Sequence, residues 1–190
     1  MASISTIVRT LARRAAPRCG VRGFGKSEDG ATAVEFALIA LPFFALILAI
    51  IETALAFFAG QALETALASA GRLIRTGQAQ SQGLTADTFK QSVCSRLSVM
   101  FNCSTSLYVD VKTYADFSSI SLSVPVDANG NLKTVGYTYT PGHGGSIVVV
   151  RAYYKWPVFV NQLGNNLSNM PDGTHLLTAT AAFRNEPFPW

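Results

Sequence analysis

The sequence predicts an α+β protein: one long N-terminal helix, membrane-spanning in its first half, packed on a small antiparallel β-sheet. Three observations predict it. Ala31 to Gly60 is a nearly uncharged apolar segment. An apolar repeat at three- and four-residue steps carries on beyond it to Thr76. The remainder alternates strand-like runs with clusters of turn residues.

The first element is a basic leader. Arg9, Arg13, Arg14, Arg18, Arg22 and Lys26 all precede the apolar segment and account for the formal net charge of +4 and the pI of about 9.1. A basic excess that belongs to the leader argues against nucleic acid as a partner, which asks for a basic face on a folded element. Charged residues make up only 14% of the 190-residue chain, against roughly 25% in ordinary soluble domains. From Phe36 to Ile51 there are none.

A spanning helix needs about 20 mostly apolar residues. ATAVEFALIALPFFALILAIIETALAFFAG, residues 31–60, supplies them with Glu35 and Glu52 as its only charges. Its length and its lack of a polar face exclude a buried soluble helix. The nearest basic residues after it are Arg72 and Arg75, so the positive-inside rule puts residues 1–30 in the cytoplasm and the rest of the chain outside. Pro42 removes one backbone donor and predicts a kink or a loosened turn. A cleaved secretory signal is the competing reading, since Ala54-Leu55-Ala56 imitates a cleavage site that would start the chain at Phe57. The leader and apolar stretch are too long for it, and Glu52 interrupts just before the site.

Glu35 is the most informative residue of the span, because an ionisable group in a membrane helix marks function by default. One reading places it at the interface, where it complements the helix dipole. The other follows from cleavage after Gly30. The new α-amino group of Ala31 would be positive, and pairing with Glu35 of a neighbouring helix would set register between packed helices.

Gly30-Ala31-Thr32-Ala33-Val34-Glu35-Phe36 resembles the junction of class IV prepilins of the tight-adherence (Flp) branch, where a peptidase cuts after the glycine and glutamate is the fifth mature residue. Gly23 has Glu28 at the same offset, but no apolar run begins there. DGATAVEFALIALPFF, QALETALASAGRLIRTGQAQ, VVVRAYYKWPVF and TATAAFRNEPF follow in an order similar to TadE-like pseudopilins of that system and cover most of the chain after Gly30. A major Flp pilin has almost nothing beyond the helix, whereas this chain carries residues 61–190. The resemblance implies a pilin-like stalk-and-head fold and a minor pilin-like subunit for assembly of a Flp/Tad type IVb pilus. It implies cleavage between Gly30 and Ala31, with Glu35 and Phe36 serving helix register and assembly. The implied partners are prepilin peptidase, Flp-type pilin, other pseudopilins, the Tad inner-membrane platform and the lipid bilayer. The implied location is the bacterial inner membrane, single-pass, with the C-terminal domain periplasmic or carried into a cell-surface pilus. Ala31 stands where many type IV pilins have an N-methylated phenylalanine. The alternative is a signal-anchored exported binding protein or adhesin that never enters a pilus.

Beyond the span, Leu63, Ala66, Leu67, Ala70, Leu73 and Ile74 continue one helical face through residues 61–77. Gly77 reads as the stop and residues 78–83 as a linker opening the exported α+β domain, residues 78–190. Thr85 caps a second helix with Phe89, Val93 and Leu97 on one face. Leu107–Tyr114, Ile147–Phe159 and Thr174–Arg184 read as strands. Val148, Val150, Ala152, Tyr154 and Trp156 share one face, and Leu177, Ala179, Ala181 and Phe183 point inward. Tyr153, Tyr154 and Trp156 are expected to divide between core and surface. Turn residues cluster at 127–131, 141–145, 165–166 and 171–173.

Cys94 and Cys103 fall in the part placed outside the cytoplasm. Compartment and short spacing favour a bridge between them, with two reduced thiols as the alternative. No metal or cofactor is expected, since neither His143 nor His175 stands at a ligand spacing from them. No enzyme is expected either: Pro141-Gly142-His143-Gly144-Gly145 lacks the Lys-Ser/Thr of a phosphate loop, and no nucleophile elbow is present. Phe183–Trp190, with two prolines, reads as a docked extended tail.

Overall fold

The structure, a computed structural model, describes residues 28–97, 100–159 and 166–189. The six basic residues of the leader and Cys19 lie outside the described residues, as do the first residue of the 165–166 turn and Trp190. The chain divides into a first unit ending at Phe44 and a second running from Ala45 to Trp190.

In the first unit, α1 (Glu28–Arg75) begins a little before the predicted Ala31, so Gly30 lies inside its first turn. Val34, Phe36, Leu38, Ile39, Leu41, Phe43 and Phe44 are all exposed. Such a surface suits hydrocarbon rather than water. Pro42 sits inside the helix without ending it.

In the second unit, α1 acquires a buried stripe: Glu52, Ala56, Ala59, Leu63, Ala66, Leu67, Ala70 and Ile74. The three- and four-residue steps place them on one face, which packs on the sheet. Small residues allow a close approach: a Cβ on Gly71 would lie 3.1 Å from Phe183 Cε1. α1 stops at Gly77, whose φ of 77° suits glycine and whose N–H donates to the Ile74 carbonyl at 3.1 Å.

The predicted linker at 78–83 contains a helical turn, α2 (Gln78–Ser81), because Ala79 plugs the core there. Thr85 caps α3 (Ala86–Cys94) in a capping box with Thr88, and Phe89 and Val93 are buried. A further turn, α4 (Cys103–Ser106), precedes β1 (Leu107–Tyr114). β2 (Ile147–Trp156) and β3 (His175–Arg184) complete a three-stranded antiparallel sheet in the order β1-β2-β3. The register pairs Val111 with Val150 and Val150 with Ala181. The long helix on this sheet makes the fold α+β.

β2 ends at Trp156, short of the predicted Phe159, since Pro157 has no N–H for the ladder. Val148, Val150, Ala152, Tyr154 and Trp156 face α1, as the alternation predicts. Tyr153 does not reach the surface, however. Residues 115–146 cross the opposite face, and Leu132 and Tyr137 join Tyr153, Met170 and Leu176 in a second cluster. All three aromatics of the predicted mixed surface are therefore buried. The same connection pairs with the outer edge of β1: Val111 N–H donates to the Thr138 carbonyl at 2.8 Å, and Thr140 N–H to that of Val111 at 2.9 Å. Pairing there protects an otherwise open edge.

Candidate functional site

The sequence-predicted site lies on the first turns of α1. Ala31, Glu35 and Phe36 are exposed, and Gly30 is half-buried. Ala31 and Glu35 stand four residues apart, one above the other on the helix. Glu35 has no hydrogen-bond or ion-pair partner among the described residues, and its neighbours Val34, Phe36, Leu38 and Ile39 are exposed and apolar.

Glu52, the other acidic residue of the apolar segment, behaves differently. It is 5% exposed, and its Oε1 accepts the backbone N–H of Phe159. The sequence by itself marks it only as a charge within the span. The one local signal of burial is its place on the helical face that goes on to carry Ala56, Ala59 and Leu63. A groove of about 350 Å³ opens alongside, between Ala56, Phe57, Gly60 and Glu64 of α1 and His175–Thr178 of β3.

Cys94 and Cys103 are joined by a disulfide with a Cα–Cα distance of 6.0 Å. It ties the end of α3 to α4 and brackets Phe101, whose ring lies 4.8 Å from that of Tyr154 and 5.7 Å from that of Trp156. The two histidines are apart in role. His175 Nδ1 lies 2.6 Å from the Leu167 carbonyl, and His143 sits exposed in a turn closed by its backbone N–H on Ser146 Oγ.

A polar cluster on the covered face of the sheet holds Asp110 and Arg151, 2.9 Å apart. Burial pushes the Asp110 carboxyl up, but hydrogen bonds from Thr138, Arg151 and Lys112 outweigh it and hold it below the usual carboxylate range. Burial works against the Arg151 charge too, and the bond to Asp110 more than restores it. Tyr139, against Phe89, is pushed up to about 12 by burial. These are restraints on the fold; among the described residues no group of three metal-ligating side chains is present.

The tail docks as an extended segment. Asn185 Nδ2 donates to the carbonyls of Pro141 and His143, both at 2.9 Å, and Glu186 N–H donates to the Arg75 carbonyl at the end of α1 at 2.9 Å.

α1 is long and apolar enough from Gly30 to Arg75 to cross a membrane. Neither a curated protein nor a solved structure matches the chain. Residues 30–72 match the family model described as TadE-like protein: over that stretch, through most of α1, the chain is similar to TadE-like proteins.

Proposed function

We propose that this protein is a minor pilin-like subunit for assembly of a Flp/Tad type IVb pilus, processed by prepilin peptidase between Gly30 and Ala31. The observation that carries the reading is the start of α1: a TadE-like helix, apolar and largely exposed through Ile51, with Glu35 as its only charge after Asp29. The role is not enzymatic. The inner membrane stores the subunit by a single pass, with the leader cytoplasmic and the α+β domain periplasmic. Cleavage creates an ammonium group on Ala31. Glu35 on an adjacent pilin or pseudopilin helix then neutralises it, which sets the stagger between helices in a medium where an unpaired charge is costly. Phe36 packs beside that pair, and the domain supplies the outward contacts with the assembly platform and neighbouring subunits.

Mass spectrometry of the N-terminus tests the processing. A chain starting at Ala31 is expected. An intact leader would favour a signal-anchored binding protein instead, and a start at Phe57 would mean an ordinary secretory signal. Glu35→Ala tests the register separately: cleavage is expected to persist while pilus assembly fails, and unchanged assembly would overturn Glu35's role.

A further inference from the structure

The buried face of α1 begins at one residue. Ile50 and Ile51 are exposed, and Glu52 immediately after them is buried and bonded to the Phe159 N–H. Ala31 to Ile51 comprises about 20 residues, roughly 30 Å of helix, which is the thickness of a hydrocarbon core. On the membrane reading of α1, on which this inference rests, Glu52 lies where the span leaves the outer face of the core.

Three phenylalanines are exposed at that level. Phe57 is 73% exposed, Phe58 57% and Phe159 78%. Phe57 and Phe58 follow Glu52 by about 1.4 and 1.7 helical turns, at about 140° and 240° around the axis from it. Phe159 comes from the segment after β2 and is held on the Glu52 side by its own backbone N–H. The three are thus distributed around α1 rather than stacked on one side. Exposed phenylalanine rings in water are unfavourable, whereas the boundary between headgroups and acyl chains accepts them. The apolar surface is continuous with the span, since Leu55 is exposed between Ile51 and Phe57.

We propose that Phe57, Phe58 and Phe159 form a collar that seats the exported domain in the outer interface of the bilayer, with Glu52 as the clasp that holds Phe159 in place. The occupant of this surface is lipid at the headgroup–acyl boundary. The collar fixes the domain against the membrane before the helix is withdrawn into a fibre, and withdrawal exposes it.

Spin labelling of the full chain in phosphatidylethanolamine–phosphatidylglycerol nanodiscs tests this. In a Cys19→Ser background with the Cys94–Cys103 bridge intact, single labels are placed through Phe159→Cys, Phe57→Cys, Phe44→Cys and Val135→Cys. Collision with oxygen, which partitions into lipid, is compared with collision with a water-soluble nickel chelate. The oxygen-to-nickel ratio is expected to be several-fold higher at 159 and 57 than at 135, and highest at 44. Glu52→Ala is expected to bring the ratio at 159 to that at 135. Water-like ratios at 159 and 57 with a lipid-like ratio at 44 would overturn the collar and leave the span intact. A water-like ratio at 44 would overturn the membrane reading itself. An unchanged ratio at 159 in Glu52→Ala would overturn the clasp, and if that variant does not fold, the labels at 57 and 159 beside native Glu52 decide the collar.

Discussion

Asp110 and Arg151 stand directly opposite each other on β1 and β2, and their side chains meet at 2.9 Å on the face turned away from α1. Around this pair the long β1–β2 connection is fastened. Arg151 Nη1 donates to the carbonyls of Ser121 and Ser123 at 3.1 and 3.2 Å, and Asp110 Oδ1 accepts the Thr138 N–H at 2.9 Å.

Removing one member of a buried pair leaves the other charged and poorly solvated. Arg151→Met is expected to cost about 3 kcal/mol, moderated by Lys112, which remains 3.2 Å from Asp110. Adding Asp110→Asn to it is expected to cost less than the two single changes together. Urea denaturation of the three variants measures this, and simple additivity would count against the coupling.

The acid response follows from carboxyls whose folded pKa lies below the unfolded one. Asp110 is one: burial raises it, and hydrogen bonds from Thr138, Arg151 and Lys112 outweigh that and leave it lowered. Asp172 is another, held at about 2 by hydrogen bonds from Thr174 and Lys155. Such groups add stability above the unfolded value of about 4 and lose it as pH falls through the folded value. The urea midpoint is expected to be level near neutrality and to fall between about pH 4 and pH 2. Asp172→Asn should flatten that fall by less than about 1 kcal/mol, because the Lys155 pair is partly solvated.

The disulfide closes a short loop, so reduction is expected to cost about 2–3 kcal/mol in the chain-entropy account. Paired Cys94→Ser and Cys103→Ser substitutions should do the same and release Phe101 from Tyr154 and Trp156. Loss of near-ultraviolet circular dichroism and a lower urea midpoint check this. A midpoint indifferent to reductant would refute it.

Two glycines should respond oppositely to alanine. A Cβ on Gly144 would lie 2.6 Å from the Phe188 carbonyl oxygen. Gly144→Ala is therefore expected to lift the tail and speed carboxypeptidase trimming, at a cost of about 1 kcal/mol. A Cβ on Gly60 would meet nothing within 4 Å. Gly60→Ala, in the middle of α1, is expected to stabilise by about 0.5–1 kcal/mol. Thermal denaturation compares the two.

What the sequence determined was whatever depends on near neighbours. The apolar length of α1, its stop at Gly77, the Thr85 cap and the alternation along β2 are all written in spacings of a few residues. The Gly30–Glu35 spacing is of this kind, which is why the candidate junction is legible without a structure. The tertiary structure decided what depends on segments far apart in the chain. Nothing near Tyr153 announces that residues 115–146 will cover it, and nothing near Ala79 announces that a linker residue will fill the core. Glu52 shows the difference most clearly. By composition it is one more charge beside a span. In the fold it is buried against a segment more than a hundred residues later, because the chain leaving β2 returns Phe159 to the helix. That α1 is long and apolar is a local matter; where one of its faces becomes buried takes the whole domain.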